Sequence, residues 1–213
     1  NTQAITNANL IILAVKPQDL NKITSELKSS IKPDQTALSI IAGTKIPTIM
    51  HSLEHSSVIR VMPNTPAQIG CGMSMWTCTP QVDLTTKEVT RAILSSVGQE
   101  IFVEDEKYLD MATALSASGP AYVFLFIEAL IDAGVYVGLP RDISRTLALQ
   151  TVYGSTQLVL KTGNHPAILK DMVVSPGGTT AEGLQVLELG GLPGTIVNAV
   201  NTAYQKAISL GQQ

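Results

Sequence analysis

Apolar residues come in short unbroken runs in the first half of the chain and in long helical stripes in the second. "NLIILAV" (9–15) is a continuous apolar run, as expected of a β-strand covered on both faces. It stops at Lys16-Pro17, and "QDLNKITSELKSS" follows with helical spacing. "TALSIIAG" repeats the strand pattern and ends at Gly43. "KIPTIMHSLE" reads as a short helix with Pro47 near its start, where the missing N–H does no harm. "SVIRVMP" is a third strand. Strand, helix, strand, helix, strand predicts a parallel sheet with covering helices. "CGMSMWTC" and "QEIFVE" flank the helical "LTTKEVTRAILSSVG" and add edge strands.

Beyond Glu104 the strand patterns stop. "KYLDMATALSA", "PAYVFLFIEALIDAGVYVGL", "RDISRTLALQTVYGSTQLVLKTG", "PAILKDMVVS", "TTAEGLQVLELG" and "PGTIVNAVNTAYQKAISLG" all read as helices, punctuated by Gly-Pro, Leu-Pro and His-Pro. The fold class is therefore α/β followed by all-α: a partial Rossmann-type parallel sheet in residues 1–104, then a helical domain in residues 105–213. No "GxGxxG" opens the chain, so the expectation is that the first half of a doubly wound fold precedes Asn1, or that something else covers an open sheet edge.

Composition narrows the function. Apolar residues make up 45% and charged residues 15%, a globular balance. The net charge of −3 lacks the basic footprint of a nucleic-acid binder. The most apolar stretch carries Glu128 and Asp132 and reads as a buried helix rather than a membrane span. Cys71 and Cys78 have no second pair nearby. They read as free thiols in a reducing compartment, the cytoplasm, and not as a metal site.

The candidate chemistry sits at two places. In an open α/β sheet, ligands bind outside the carboxyl ends of the strands, which here are "AVKP" (14–17), "AG" (42–43) and "MPNTP" (62–66). Lys16 suits a phosphate, or is a solvated lysine at a helix start. The prolines around Asn64 and Thr65 stiffen that loop, whether it aims polar groups or is an ordinary turn. The second place is "SPGGTTAEG" (175–183), where glycines free the backbone and Thr179 opens a helix. Unpaired N–H groups at a helix start receive carboxylates or phosphates. A plain cap needs one Ser or Thr, so the stretch is read as an anion site. "HSLEH" (51–55) has the order of some zinc peptidases, but the helix is too short and no further ligand set stands out. Glu128 and Asp132 share a helix face and read as a solvated or salt-bridged stripe. "SASGP" (116–120) is a helix–turn–helix joint.

These residues together resemble the pyrroline-5-carboxylate reductase family. "AVKP", "IIAG", "VIRVMPNTP", "SASGPAY", "DAGVYVGLPRDISRTLA" and above all "DMVVSPGGTTAEGLQVLE" occur in order over nearly the whole chain. The resemblance implies reduction of 1-pyrroline-5-carboxylate to proline by NADPH, with NADH an alternative, as the last step of proline synthesis. It also implies a homodimer built through the helical domain. Asn1, Ala14, Val15, Lys16, Pro17, Ala42 and Gly43 would line the dinucleotide, and Met62, Pro63 and Asn64 the nicotinamide. Ser175, Gly178, Thr179 and Thr180 would hold the substrate, its carboxylate on the N–H groups of 178–180 and its ring nitrogen on Thr180, the catalytic residue. The family's usual "SGSGPAY" has Ala117 in place of a glycine here. A related imine reductase, a β-hydroxyacid dehydrogenase and a non-catalytic helical dimerisation module are the rival readings. The second is disfavoured because the helix over 120–139 contains no lysine.

Overall fold

A computed structural model describes residues 1–211 as two compact units, Asn1–Pro120 joined by the chain from Val200 on, and Ala121–Ala199. The first unit is built on a five-stranded sheet in the order β1 (Leu10–Leu13), β2 (Thr36–Ser39), β3 (Val58–Met62), β4 (Gly72–Cys78), β5 (Gly98–Phe102). β1, β2 and β3 are parallel, β4 runs antiparallel to β3, and β5 is parallel to β4. The short α1 (Thr2–Ile5) precedes β1. α2 (Leu20–Leu27) and α3 (Ile46–Leu53) make the crossovers, and α4 (Leu84–Ser96) joins β4 to β5.

The unbroken apolar runs become the middle strands, since β2 and β3 are buried at every position. Ile11, Leu13, Ala37 and Val58 pack with Leu20, Leu27, Ile49 and Leu53 on one face. Leu38, Ile59 and Val61 pack with Trp76 and Leu94 on the other. Two strand expectations are corrected. β1 is an edge strand: Ile11 and Leu13 are buried, but Ile12 between them is 49% exposed, because helices cover only the alternate face. β4 is not an edge strand, for it lies between β3 and β5 with Trp76 fully buried.

α4 begins at an N-cap formed by Asp83, whose carboxylate accepts from the Thr86 N–H at 2.6 Å. That backbone hydrogen bond holds the Asp83 carboxyl below its usual range. A depressed folded-state pKa contributes stability above the unfolded value and loses it as pH falls through the folded one. Asp83→Ala is expected to lower Tm by about 2–4 °C at pH 7. The gap from the parent should narrow as the pH is lowered through the acid range; thermal scans at a pH series measure it.

β3 carries one charge in its buried run. Arg60 is 1% exposed, with Nη1 on Glu106 Oε1 at 2.8 Å and Nη2 on Asp110 Oδ1 at 2.9 Å. Glu106 precedes α5 (Lys107–Ala112), which carries Asp110. Glu106 Oε1 also accepts the Ile46 N–H, the first of α3, at 2.8 Å. One ion cluster thereby joins the sheet to two helices.

α5 runs into a π-turn, Thr113–Ala117, closed by the Ser118 N–H on the Thr113 carbonyl at 2.9 Å. α6 (Gly119–Tyr136) follows directly. The expected helix–turn–helix joint is therefore a widened helical turn, since Pro120 falls in the first turn of α6, where it is tolerated.

The second unit contains most of α6, then α7 (Arg141–Thr162), α8 (Pro166–Val173), α9 (Thr179–Leu189) and the start of α10 (Leu192–Leu210). α6 and α7 approach closely at Gly134, where an added Cβ would lie 2.1 Å from Ser144 Oγ. That hydroxyl donates to the Ile131 carbonyl at 2.7 Å, and Arg141 pairs with Asp132 at 2.9 Å. α6 is not the buried helix expected. None of its residues is buried; Phe124 and Leu125 are 61% and 67% exposed. A helix apolar on all sides needs neighbours all round, whereas α7 meets α6 near its end, at Ile131, Asp132 and Gly134. The run Lys107–Tyr136 is also long and apolar enough, by length and composition alone, to cross a membrane.

Candidate active site

The parallel register places three chain segments at one end of the sheet. Leu13 lies opposite Ser39, and Ser39 opposite Arg60, so residues 14–17, 40–43 and 62–66 leave the strands on the same side. Ala14, Lys16, Pro17 and Ala42 are exposed, and Val15, Gly43, Pro63 and Asn64 partly so; Met62 is buried at the end of β3. The Lys16 carbonyl accepts from the Asp19 N–H at 2.9 Å, while its ammonium group has no hydrogen-bond or ion-pair partner among the described residues. It sits before the 3-10 turn Pro17–Asp19 that leads into α2. Gly43 is constrained by packing, since a Cβ there would meet Leu210 Cβ at 3.0 Å. Asn1 is exposed, its amide donating to Glu26 Oε2 at 2.7 Å. The side chain of Asn64 is engaged within the protein, accepting from the Met73 N–H and donating to the Ser116 carbonyl. What this strand end presents outward is small side chains, backbone and one free cation, which suits a flat anionic ligand approaching the main chain.

The second group stands at the start of α9. Gly178 is its N-cap, in extended conformation, and Gly177 before it takes φ 67°, which only a glycine adopts without strain. The turn is closed by the Gly178 N–H on the Ser175 carbonyl at 3.0 Å. Gly178 is therefore not free to donate to a ligand, which corrects the expectation for its N–H. Its own carbonyl accepts from Ala181 and Glu182. The N–H groups of Thr179 and Thr180 have no partner among the described residues, nor do their hydroxyls. Gly178 has a second reason to be glycine: a Cβ would lie 2.3 Å from Ser175 Oγ. Two N–H donors, two threonine hydroxyls and the Ser175 hydroxyl thus gather at a helix N-terminus, whose dipole favours an anion.

Other sequence candidates are satisfied by the fold. The His55 ring bonds the Gln35 carbonyl at 2.7 Å, and Glu54 pairs with Lys28 at 2.9 Å. Of the partners of Asn64, Met73 was not singled out from sequence, and Ser116 was read only as part of the joint over 116–120. The signal for Ser116 is Pro120, four residues on, which has no N–H to return to it.

Residues 106–210 match the family model described as pyrroline-5-carboxylate reductase dimerisation. The chain is 42% identical to a pyrroline-5-carboxylate reductase of Synechocystis sp., over 100% of its own length and 79% of that protein's. It is 41% identical to the Glycine max reductase, over 99% and 76%. The crystal structure of Plasmodium falciparum pyrroline carboxylate reductase with NADP bound is similar at a TM-score of 0.90 and 38% identity, covering 99% of this chain and 80% of that one.

Proposed function

The chain belongs to the pyrroline-5-carboxylate reductase family, and from that membership we propose which of its residues perform the reaction. It is an NAD(P)-dependent oxidoreductase that reduces the C=N bond of 1-pyrroline-5-carboxylate to give proline. NADPH, when bound, supplies the hydride that the imine carbon receives.

Residues 1–104 are the dinucleotide domain in this reading. Ala14, Val15, Lys16, Pro17, Ala42 and Gly43 form its wall at the strand ends, and Lys16 is the cation for a phosphate. Asn1 flanks them, and Met62, Pro63 and Asn64 face the nicotinamide. The observations supporting this half are that Ala14, Lys16, Pro17 and Ala42 are exposed at the strand ends and that the Lys16 ammonium has no partner among the described residues.

Residues 105–213 bind the substrate and the partner subunit. The observation that carries the reading is the pair of unbonded N–H groups at Thr179 and Thr180. They receive the substrate carboxylate, with the Ser175 hydroxyl beside them and Gly178 leaving the space open. The Thr180 hydroxyl bonds the ring nitrogen and orients it. A protonated cyclic imine is already electrophilic, so positioning rather than acid–base power sets the rate. A hydrogen bond to a charged group contributes about 1.5–3 kcal/mol. Thr180→Val is accordingly expected to lower kcat/KM by roughly ten- to a hundredfold. Steady-state assays with pyrroline-5-carboxylate and NADPH measure it, and an unchanged kcat/KM would remove Thr180 from the mechanism.

The matched dimerisation model implies self-association. The exposed apolar faces of α6, α7, α9 and α10 are read as the homodimer surface rather than as a membrane span. A cytoplasmic enzyme with no nucleic-acid partner completes the reading, consistent with the net charge of −3.

A further inference from the structure

Both halves of the Asn64 side-chain amide are taken by the protein. Oδ1 accepts from the Met73 N–H at 2.8 Å, where β4 begins, and Nδ2 donates to the Ser116 carbonyl at 3.2 Å. Ser116 lies in the π-turn Thr113–Ala117. A carbonyl in an α-helix receives the N–H four residues on. At that distance from Ser116 stands Pro120, which has none. Asn64, 52 residues away in sequence, brings a donor that an α-helical turn would not provide there. Single π-turns inside helices occur frequently at functional sites, and here the turn is tied to the loop leaving β3.

We infer that Asn64 is a positioning residue for hydride transfer. Its side chain locks residues 62–64 between β4 and the π-turn, so that the backbone at the end of β3 is held still where the nicotinamide lies. Asn64 serves the cofactor through that backbone. The inference rests on the assignment of the β3 end to the nicotinamide. It joins two motifs that are separate in sequence: the asparagine of "MPNTP" answers the proline of "SASGP".

The test compares four forms of the enzyme by the single-turnover rate constant of NADPH oxidation at saturating pyrroline-5-carboxylate: the parent, Asn64→Asp, Pro120→Ala and the double variant. Asn64→Asp keeps an acceptor for Met73 but loses the donor to Ser116, and the rate constant is expected to fall about tenfold. Pro120→Ala restores a backbone N–H four residues on from Ser116, which lets the turn close in the α register onto that carbonyl. It is expected to stay within about twofold of the parent, and the double variant within about threefold of Pro120→Ala. Loss of folded protein would lower the amplitude and leave the rate constant, so a purely structural role does not give this pattern. An unchanged rate constant in Asn64→Asp, or a loss equally large in both backgrounds, overturns the inference. If Asn64→Asp alone does not fold, the double variant decides: a rate constant within about threefold of Pro120→Ala supports the inference, and one about tenfold lower, or a failure to fold, overturns it. A parent protein that binds no NADPH, by fluorescence titration, would sink the nicotinamide assignment itself. That outcome is distinct from an active enzyme indifferent to Asn64.

Discussion

Arg60→Ala is expected to cost about 3–5 kcal/mol, the usual penalty for breaking a buried ion pair from one side. Arg60 is 1% exposed, and it faces Glu106 and Asp110, of which Asp110 is itself buried. Alanine leaves two carboxylates facing each other without their cation and opens a hole in the middle of the sheet. The damage spreads, because Glu106 also holds the first N–H of α3. Against a total stability of about 5–15 kcal/mol, such a loss brings the protein close to unfolding. Urea titration should show the midpoint falling steeply. Charge, rather than shape, is the cause, so Arg60→Met combined with Glu106→Gln and Asp110→Asn should recover most of the loss. The buried Arg60 Nε has no partner among the described residues, which further favours an apolar replacement over the isolated charge. An Arg60→Ala protein within about 1 kcal/mol of the parent would show that the cluster is solvated in solution.

Gly98→Ala is expected to be comparably severe, by a different route. Gly98 opens β5 opposite Gly72, the first residue of β4, with φ 151°. A Cβ at Gly98 would lie 2.0 Å from the Gly72 carbonyl oxygen and 2.4 Å from its nitrogen. Main-chain atoms cannot step aside as a side chain can. Gly72 has no room of its own, since a Cβ there would meet Ala67 Cβ at 2.7 Å. Backbone strain and overpacking together amount to roughly 3–5 kcal/mol. The chain's single tryptophan reports the event, because Trp76 on β4 meets Phe102 of β5 edge-on at 4.8 Å. Urea unfolding followed by Trp76 fluorescence should show a lowered midpoint, with the native spectrum already shifted if β5 detaches. A native spectrum and midpoint equal to the parent's would mean that the two strands part without cost.

Both sites mark where sequence reading runs out. β2 and β3 were legible because an interior parallel strand is apolar at every position. At β1 the same pattern is met on one face only among the described residues, and an apolar run cannot say which element covers the other side of Ile12. Arg60 is a charge inside an apolar run that the sequence reading passed over, and its partners lie 46 and 50 residues away, beyond any local pattern. The glycine pair depends on the register of two strands separated by a helix. The start of α9 was legible because caps and turns are local chemistry. Sequence could not show that the turn itself consumes the Gly178 N–H. The burial of α6 failed for a plainer reason: the helix is apolar on every side, and none of its residues is buried within one chain.

That bareness sets how the protein must behave on dilution. In the proposed homodimer the free energy that keeps the helical unit in shape comes largely from association, since so little of α6 is covered within one chain, and it follows mass action. A melting temperature for this reductase is then a property of a solution at a stated protomer concentration, and the same polypeptide is a weaker structure at nanomolar than at micromolar levels.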